Sequence, residues 1–584
     1  MNLSNIDQLK VSPLFEGSCL LVTGATGFLG KVLLENLLFT QPKIDKIFLL
    51  IRPLNNQTIK ERLDNLLESP LFNRIRCVDE TRLNKLVPIS GDLKMEGIGI
   101  NEQDRTALIN QVTFVFHCAA TVKFDEALKV AIQMNVIGTQ RLVELCQQMS
   151  QLKAFVHASS AYANCNLAKT EERIYEQKVE VSKLVGTMEW MSDEMVEAIE
   201  DKLLEDRPNT YTFAKAMAEN QLSKSAKDLP VIIARPSIIG AIWQEPLPGW
   251  IDNLNGPTGI FASVGKGLLT DMCGDMKSVA DIIPVDIVAN MLIVAAACRS
   301  QMGQCKEIPV FHCTSGQLNP LTWERIVVYC EQFFIAFPFD ECYRIPSTQF
   351  HGNHNLFLAN FYAKHLSVAY ALDGAYRLLG KKAKFVRIYS KIWRMMEVLH
   401  YFTSRGWVFE SQNALKMWER LSEEDKKLYC FDVRKVDWDE YLFDYLMGIK
   451  IYLLRESLDD VPRAQANLLW RKQLNLYSNG LFFALLVRLF AWRRSKRQRW
   501  TLWLSGFLLS FAYQNANYWL RPAVRLRNLE EYKRTALRFF SEDDQQKNGN
   551  GGDRVRQRRR AADNGRNSDE NEHNSDQQRR ARSD

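Results

Sequence analysis

The sequence predicts an α/β fold, a doubly wound parallel sheet continued by a second, α-rich region, and three patterns predict it. From Gly17 to about Arg299, short apolar β-rich runs (residues 19–23, 47–51, 112–118, 154–158 and 231–235) alternate with helical stretches. Such alternation marks parallel strands joined by crossover helices. The first run opens directly into a glycine-rich segment, Thr23-Gly24-Ala25-Thr26-Gly27-Phe28-Leu29-Gly30. Past Arg299 the pattern changes to long aromatic-rich segments with helix-period apolar positions around residues 388–401 and 441–453.

These patterns divide the 584 residues into a short N-terminal segment (1–15), a nucleotide-binding domain (16–300), an α-rich domain (301–457), a membrane-associated region (478–520) and a polar tail (541–584). The length exceeds what one compact core supports. A hydrophobic fraction of 46% beside a charged fraction of 24% excludes a wholly disordered or collagen-like chain. The net charge of +7 raises the question of nucleic acid, but part of the excess sits at residues 493–499, between two apolar stretches. A membrane explains that placement better, and no nucleic-acid partner is expected. Twelve cysteines without a C-x-x-C pair, and no basic-apolar leader at Met1, point to the reducing cytosol. Neither the cysteines nor the eight histidines have metal-ligand spacing, so no metal site is expected.

The glycine loop follows an apolar strand and opens a helix over residues 28–39, which makes it a Rossmann-type phosphate loop. Gly24 permits the tight turn, Gly27 lets the backbone approach a pyrophosphate, and Gly30 lets helix pack on strand. Thr23, Thr26, Phe28 and Leu29 complete the loop, and the helix N-terminus supplies free N–H groups. The second strand ends in Arg52, where an NAD-preferring domain would carry an acid. A guanidinium there can pair with a 2′-phosphate and favours NADPH, with an ordinary solvated arginine as the other reading. Arg62 on the next helix either reaches the same phosphate or is an ordinary solvated arginine. Asp92 stands where it can accept from an adenine amine, or serves as a simple turn residue. Ala119 and Ala120 are small enough for the chain to pass close to the cofactor sugars; His117 before them reads as a packed histidine. Pro236 and Ile238, after the strand at 231–235, are placed to run past the nicotinamide.

Tyr211 and Lys215 are four apart, hence on one helix face, and form a Y-x-x-x-K pair. A nearby ammonium stabilises a phenolate and brings phenol proton transfer towards neutral pH. The third member is a hydroxyl at the end of the strand at 154–158: Ser160 is the choice, with Ser159 second, to hold a carbonyl oxygen as charge develops on it. Asn135 either anchors a water that relays protons to Lys215 or bends its helix. The loop after Gly240, with Trp243, Pro246, Pro248, Gly249, Trp250, Asn253, Gly256 and Pro257, suits an apolar substrate wall, with a packing loop as the other reading.

Together these residues resemble an extended short-chain dehydrogenase/reductase, and more closely the alcohol-forming fatty acyl-CoA reductases of animals. The resemblance covers roughly residues 16–457. It rests on the T-G-A-T-G-F-L-G-K-V-L-L-E opening, Phe116-His117-Cys118-Ala119-Ala120-Thr121-Val122, Asp206-Arg207-Pro208-Asn209-Thr210-Tyr211 and Pro248-Gly249-Trp250-Ile251-Asp252-Asn253. Ala280-Asp281-Ile282-Ile283-Pro284-Val285-Asp286 and Tyr401-Phe402-Thr403-Ser404 carry it further. It implies reduction of a long-chain or very-long-chain acyl-CoA to a primary alcohol with two NADPH, through a hemithioacetal and an aldehyde, for wax, ether-lipid or cuticular-lipid synthesis. In that scheme Ser160 and Tyr211 stabilise and protonate the oxyanion, and Lys215 tunes Tyr211 and binds the nicotinamide ribose. Ser159-Ser160 stands where relatives commonly have Ser-Thr, which keeps the hydroxyl. A hydroxysteroid dehydrogenase or nucleotide-sugar epimerase shares the loop and Y-x-x-x-K, and a non-catalytic NADPH-binding membrane scaffold is the remaining alternative.

Residues 481–492 are apolar except for Arg488, and residues 500–520 carry no charge, enough to cross a bilayer, with Gln514, Asn515 and Asn517 as the costly exceptions. Trp500, Trp503, Tyr518 and Trp519 suit the interfaces. With the basic stretch between the two segments, a single crossing by 500–520 or a shallow hairpin is expected, leaving the reductase on the cytosolic face of a peroxisomal or endoplasmic-reticulum membrane. A homodimer is compatible with the sequence. From Ser541 the chain has almost no apolar residues and is expected to be disordered.

Overall fold

A computed structural model describes residues 8–54 and 56–536; the polar tail expected at 541–584 lies outside them. The strands are β1 (Cys19–Thr23), β2 (Lys46–Ile51), β3 (Leu86–Ser90), β4 (Val112–His117), β5 (Ala154–Ala158), β6 (Lys169–Thr170), β7 (Val231–Pro236), β8 (Ile238–Gly240), β9 (Asp271–Cys273), β10 (Ile282–Pro284), β11 (Val310–Cys313), β12 (Gln349–His351) and β13 (Val408–Phe409). Seven of them form one parallel sheet in the order β3-β2-β1-β4-β5-β7-β11. Strand order reverses between β1 and β4, and in such sheets the nucleotide crevice opens at that point, beyond the carboxyl ends of the strands.

Both faces of the sheet are covered, which is why β1 reads as an unbroken apolar run. Successive side chains point to opposite faces. Leu20 and Val22 therefore join Leu33 and Leu37 of the Phe28–Thr40 helix and Leu292 of the Val285–Gln301 helix. Cys19 and Leu21 join Leu142 and Leu145 of the Gly138–Cys146 helix on the other face.

The division expected at residue 300 does not separate the fold. The seventh strand, β11, comes after it and pairs with β7, while β12 pairs with β9 and β13 with β6. The Trp438–Gly448 helix is also bonded into the first region, with Tyr441 Oη donating to the Ala241 carbonyl (3.1 Å) and Tyr445 Oη beside Thr258 Oγ1 (2.7 Å). A single apolar core runs through both regions. The helical region grows out of the sheet edge.

Residues 461–520 form a helical hairpin, Val461–Phe490 and Lys496–Leu520. Its seam is close: Trp503 Nε1 donates to the Gly480 carbonyl (2.8 Å), and a Cβ on Gly506 would come within 2.9 Å of the Phe483 ring. The chain then returns to the body. The Val524 amide donates to Gln332 Oε1 (3.0 Å), Arg527 pairs with Asp444 (2.8 Å), and Tyr532 is buried. A single crossing by 500–520 would leave these residues on the far side of a bilayer, so that expectation is corrected to an out-and-back hairpin. Among the described residues no helix is long and apolar enough to cross a membrane. The three amides at 514, 515 and 517 dilute the apolar run.

Candidate active site

At the end of β1, Thr23 Oγ1 accepts the Ala119 amide (3.2 Å) and meets His117 Nδ1 (2.8 Å), tying β1 to β4. Gly24 has φ +74°, and a Cβ there would lie 2.7 Å from the Ala119 amide nitrogen. A Cβ on Gly30 would collide with the Gly24 carbonyl, and one on Gly27 would come within 3.2 Å of it. Only glycine closes this loop over the helix N-terminus. His117, bonded also to Thr139 Oγ1 (2.9 Å), is a packed neutral histidine whose pKa burial pushes down to about 3.

Arg62 donates to Thr26 Oγ1 (3.2 Å) and to the Arg52 carbonyl, so both guanidinium-bearing residues flank the loop. Neither pairs with a carboxylate among the described residues. Partial burial and then the Arg52 charge pull the Arg62 pKa down, as expected where cations gather without a counter-charge. The glycine cradle fits a nicotinamide dinucleotide, and this arginine pair stands beside it without a carboxylate partner. Asp92 sits beyond β3, where its Oδ1 accepts the Lys94 amide (3.0 Å) in a tight turn.

The Thr210–Ser225 helix presents Tyr211 and Lys215 to the end of β5. Asn209 caps it, accepting the Thr212 amide (2.9 Å). Lys215 Nζ donates to the Ala158 carbonyl (2.8 Å), and the Ser160 hydroxyl lies beside Tyr211, close enough to lower its pKa. Ser160 is in turn held by the Tyr162 amide (3.2 Å). The two serines separate cleanly. Ser159 donates to Glu219, which is locked in a buried ion pair with Arg235 (2.6 Å). Burial pushes the Tyr211 pKa up to about 12, only partly offset by Ser160, and pushes Lys215 down to about 8. The expected lowering of Tyr211 by its lysine is not found: burial dominates, with Ser160 the opposing influence, and the phenol stays protonated at neutral pH.

Asn135 is held by neighbouring backbone. Its side chain clasps Thr121, accepting the amide (2.9 Å) and donating to the carbonyl (3.2 Å), which fixes the backbone just after Ala119 and Ala120. Asn135 lies in a π-helical turn, Gln133–Ile137. The aromatic loop splits in two. Trp250 stacks on Phe28 (5.6 Å), beside the phosphate loop. Asn253 makes a turn, bonded to Asp252 (2.9 Å) and the Asn255 amide (3.0 Å). Trp243 is carried away from the site because its amide is held by Asp286 (2.9 Å). It lines a cleft of about 570 Å³ with Asn36 and Phe39, at the far end of the Phe28–Thr40 helix. At about 1.5 Å per residue, that is roughly 16 Å from the loop.

The wall nearest Tyr211 was not visible as a motif. Phe124 lies 5.6 Å from the Tyr211 ring, Phe402 lies 5.5 Å from Phe124, and Tyr162 lies 5.3 Å from Phe402. Ile238 packs into the same apolar cluster, just after Pro236 ends β7. Phe402 comes from the last turn of the Phe385–Thr403 helix, so the α-rich region supplies part of the site.

A family profile described as "Male sterility protein" matches residues 22–292, and a second with the same description matches residues 364–456. Fatty acyl-CoA reductase 1 of Rattus norvegicus is 39% identical over 87% of this chain and 98% of its own. Fatty acyl-CoA reductase 1 of Homo sapiens is 37% identical over the same shares. The chain belongs to the fatty acyl-CoA reductase family. Both matched regions contribute to this candidate site, the first with Ser160, Tyr211 and Lys215, the second with Phe402. Two solved structures share the fold. The terminal R domain from the myxalamid PKS-NRPS pathway is 18% identical with a TM-score of 0.51, covering 74% of this chain and 91% of that one. The reductase (R) domain of a nonribosomal peptide synthetase from Mycobacterium tuberculosis is 16% identical with a TM-score of 0.51, covering 77% and 95%.

Proposed function

We propose that this enzyme reduces a long-chain or very-long-chain acyl-CoA to the primary alcohol with two NADPH. The observation that carries the reading is the placement of Ser160 beside Tyr211, whose ring packs 5.6 Å from Phe124 and, through it, on Phe402: two hydroxyl donors next to an apolar surface. Bound NADPH would lie along the glycine loop with its 2′-phosphate between Arg52 and Arg62, and it supplies the hydride. Ser160 donates to the carbonyl oxygen, and Tyr211, protonated at neutral pH, delivers the proton as negative charge develops there. Lys215, near its titration point, restores that proton. After the first reduction the hemithioacetal expels CoA thiolate; after the second, Tyr211 again protonates the oxygen and the alcohol leaves.

The hairpin supports a membrane-surface reading. Leu481, Phe482, Leu485, Leu489, Leu504 and Leu508 are exposed on it, and its turn is basic, from Arg493 to Arg499. A shallow, interfacial seat for this hairpin would bring the site beside the lipid its product joins, and we read that surface as the cytosolic face of a peroxisomal or endoplasmic-reticulum membrane. The test of function is a labelled-hydride assay offering palmitoyl-CoA, a sterol and a nucleotide-sugar side by side. Label entering only the alcohol from palmitoyl-CoA is expected. Label entering only the other two would transfer the chain's chemistry to a different reductase class.

A further inference from the structure

Four of the eight histidines gather around β9, outside the Ser160–Tyr211–Lys215 site. Asp271 and Cys273 stand two apart on that strand and so share a face. The Asp271 carboxylate is already occupied: His351 Nε2 (2.8 Å), His365 Nε2 (3.1 Å), Lys364 Nζ (3.3 Å) and Thr270 Oγ1 (2.8 Å) all reach it. Cys273 has different neighbours. Its Sγ lies 3.8 Å from His354 Nδ1, and the His354 and His400 ring centres are 5.4 Å apart. One ligand atom from each of Cys273, His354 and His400 lies within 4.8 Å of the other two. Zinc, with Zn–S about 2.3 Å and Zn–N about 2.0 Å, sets sulfur and nitrogen about 3.5 Å apart in a tetrahedron. Small side-chain adjustments close the site.

We propose that Cys273, His354 and His400 bind a zinc-class divalent cation, with water in the fourth position. One thiolate and two imidazoles favour zinc over the harder magnesium or calcium ions. A supporting contact is of the kind a metal-bound histidine needs: Ser404 Oγ lies 2.9 Å from His400 Nδ1 and orients the ring. Thr403 Oγ1 donates to the Cys273 carbonyl (2.8 Å) and fixes the strand. His354 is exposed and gives the ion its entry path. The three ligands come from β9, the His354–Phe361 helix and the Phe385–Thr403 helix. A cation joining them fastens the last helix two residues before Phe402, which packs beside Phe124 over Tyr211. The ligands are 81 and 46 positions apart, read from the cysteine–histidine separation of 81 and the numbering, so no spacing motif announces them.

The test uses the purified full chain, stripped with a chelator and titrated with Co²⁺. The proposal predicts saturation at one ion per chain, with the visible absorption of tetrahedral cobalt and a near-ultraviolet thiolate-to-cobalt band, both erased by Zn²⁺. Cys273→Ser removes the thiolate band. His354→Ala, at an exposed position that leaves the fold intact, weakens Co²⁺ binding at least ~10-fold. A spectrum that stays octahedral, or one unchanged in both variants, overturns the proposal.

Discussion

The Ser159 hydroxyl donates to the buried Glu219 carboxylate, which Arg235 also holds, while the next residue, Ser160, lies beside Tyr211. Adjacent hydroxyls at the end of one strand therefore have separate duties. Ser159→Ala should cost about 1 kcal/mol of stability and keep most activity, since it removes one bond from a buried network. Ser160→Ala should lose ~10²–10³-fold in turnover with an unchanged melting temperature. Denaturation and alcohol assays on the pair check this, and the reverse pattern would exchange the roles.

Tyr211→Phe removes the proton donor and keeps the ring that Phe124 packs against. Alcohol formation should fall ~10²–10⁴-fold while NADPH binding, read by fluorescence titration, persists. Retained turnover would mean that another group supplies the proton.

Lys215 sets the expected pH dependence. Burial lowers its pKa to about 8, against the opposing influence of Cys118 and Glu219, so the ammonium is present below that pH and lost above it. Tyr211, raised to about 12, remains protonated throughout. Alcohol formation should decline as pH rises through about 8. Lys215→Arg, which keeps its charge, should flatten the decline at reduced overall rate. A wild-type profile that stays level through that range would remove Lys215 from the proton path.

Arg52→Asp tests the cofactor preference. Losing a charged partner of the 2′-phosphate, and facing it with an acid, should weaken NADPH ~10–100-fold and spare NADH. Arg62→Ala should act in the same direction, because Arg62 bridges Thr26 and the Arg52 carbonyl. Equal losses for both cofactors would place the arginines elsewhere.

The parts legible in the sequence were those written locally. β1 with its glycine turn is continuous in the chain, and Tyr211 and Lys215 sit one helical turn apart, so the 2.0 and 3.6 periodicities suffice. Contacts between distant segments were not legible. Phe402 reaches Phe124 from 278 positions away by their numbering, and the Asp286 carboxylate draws Trp243 off to another cleft. The clasp of Asn135 on the Thr121 backbone is likewise invisible in a side-chain pattern. The apolar run at 500–520 resembled a crossing until the return of Arg527 to Asp444 put both hairpin ends on one body.

The proposed reaction delivers two successive hydrides to one acyl carbon. Purified enzyme given palmitoyl-CoA and NADPH deuterated at the transferable position should yield hexadecanol with two deuteriums on C1, with free CoA released in equal amount. Aldehyde as the accumulating product, or no deuterated alcohol at all, would contradict it.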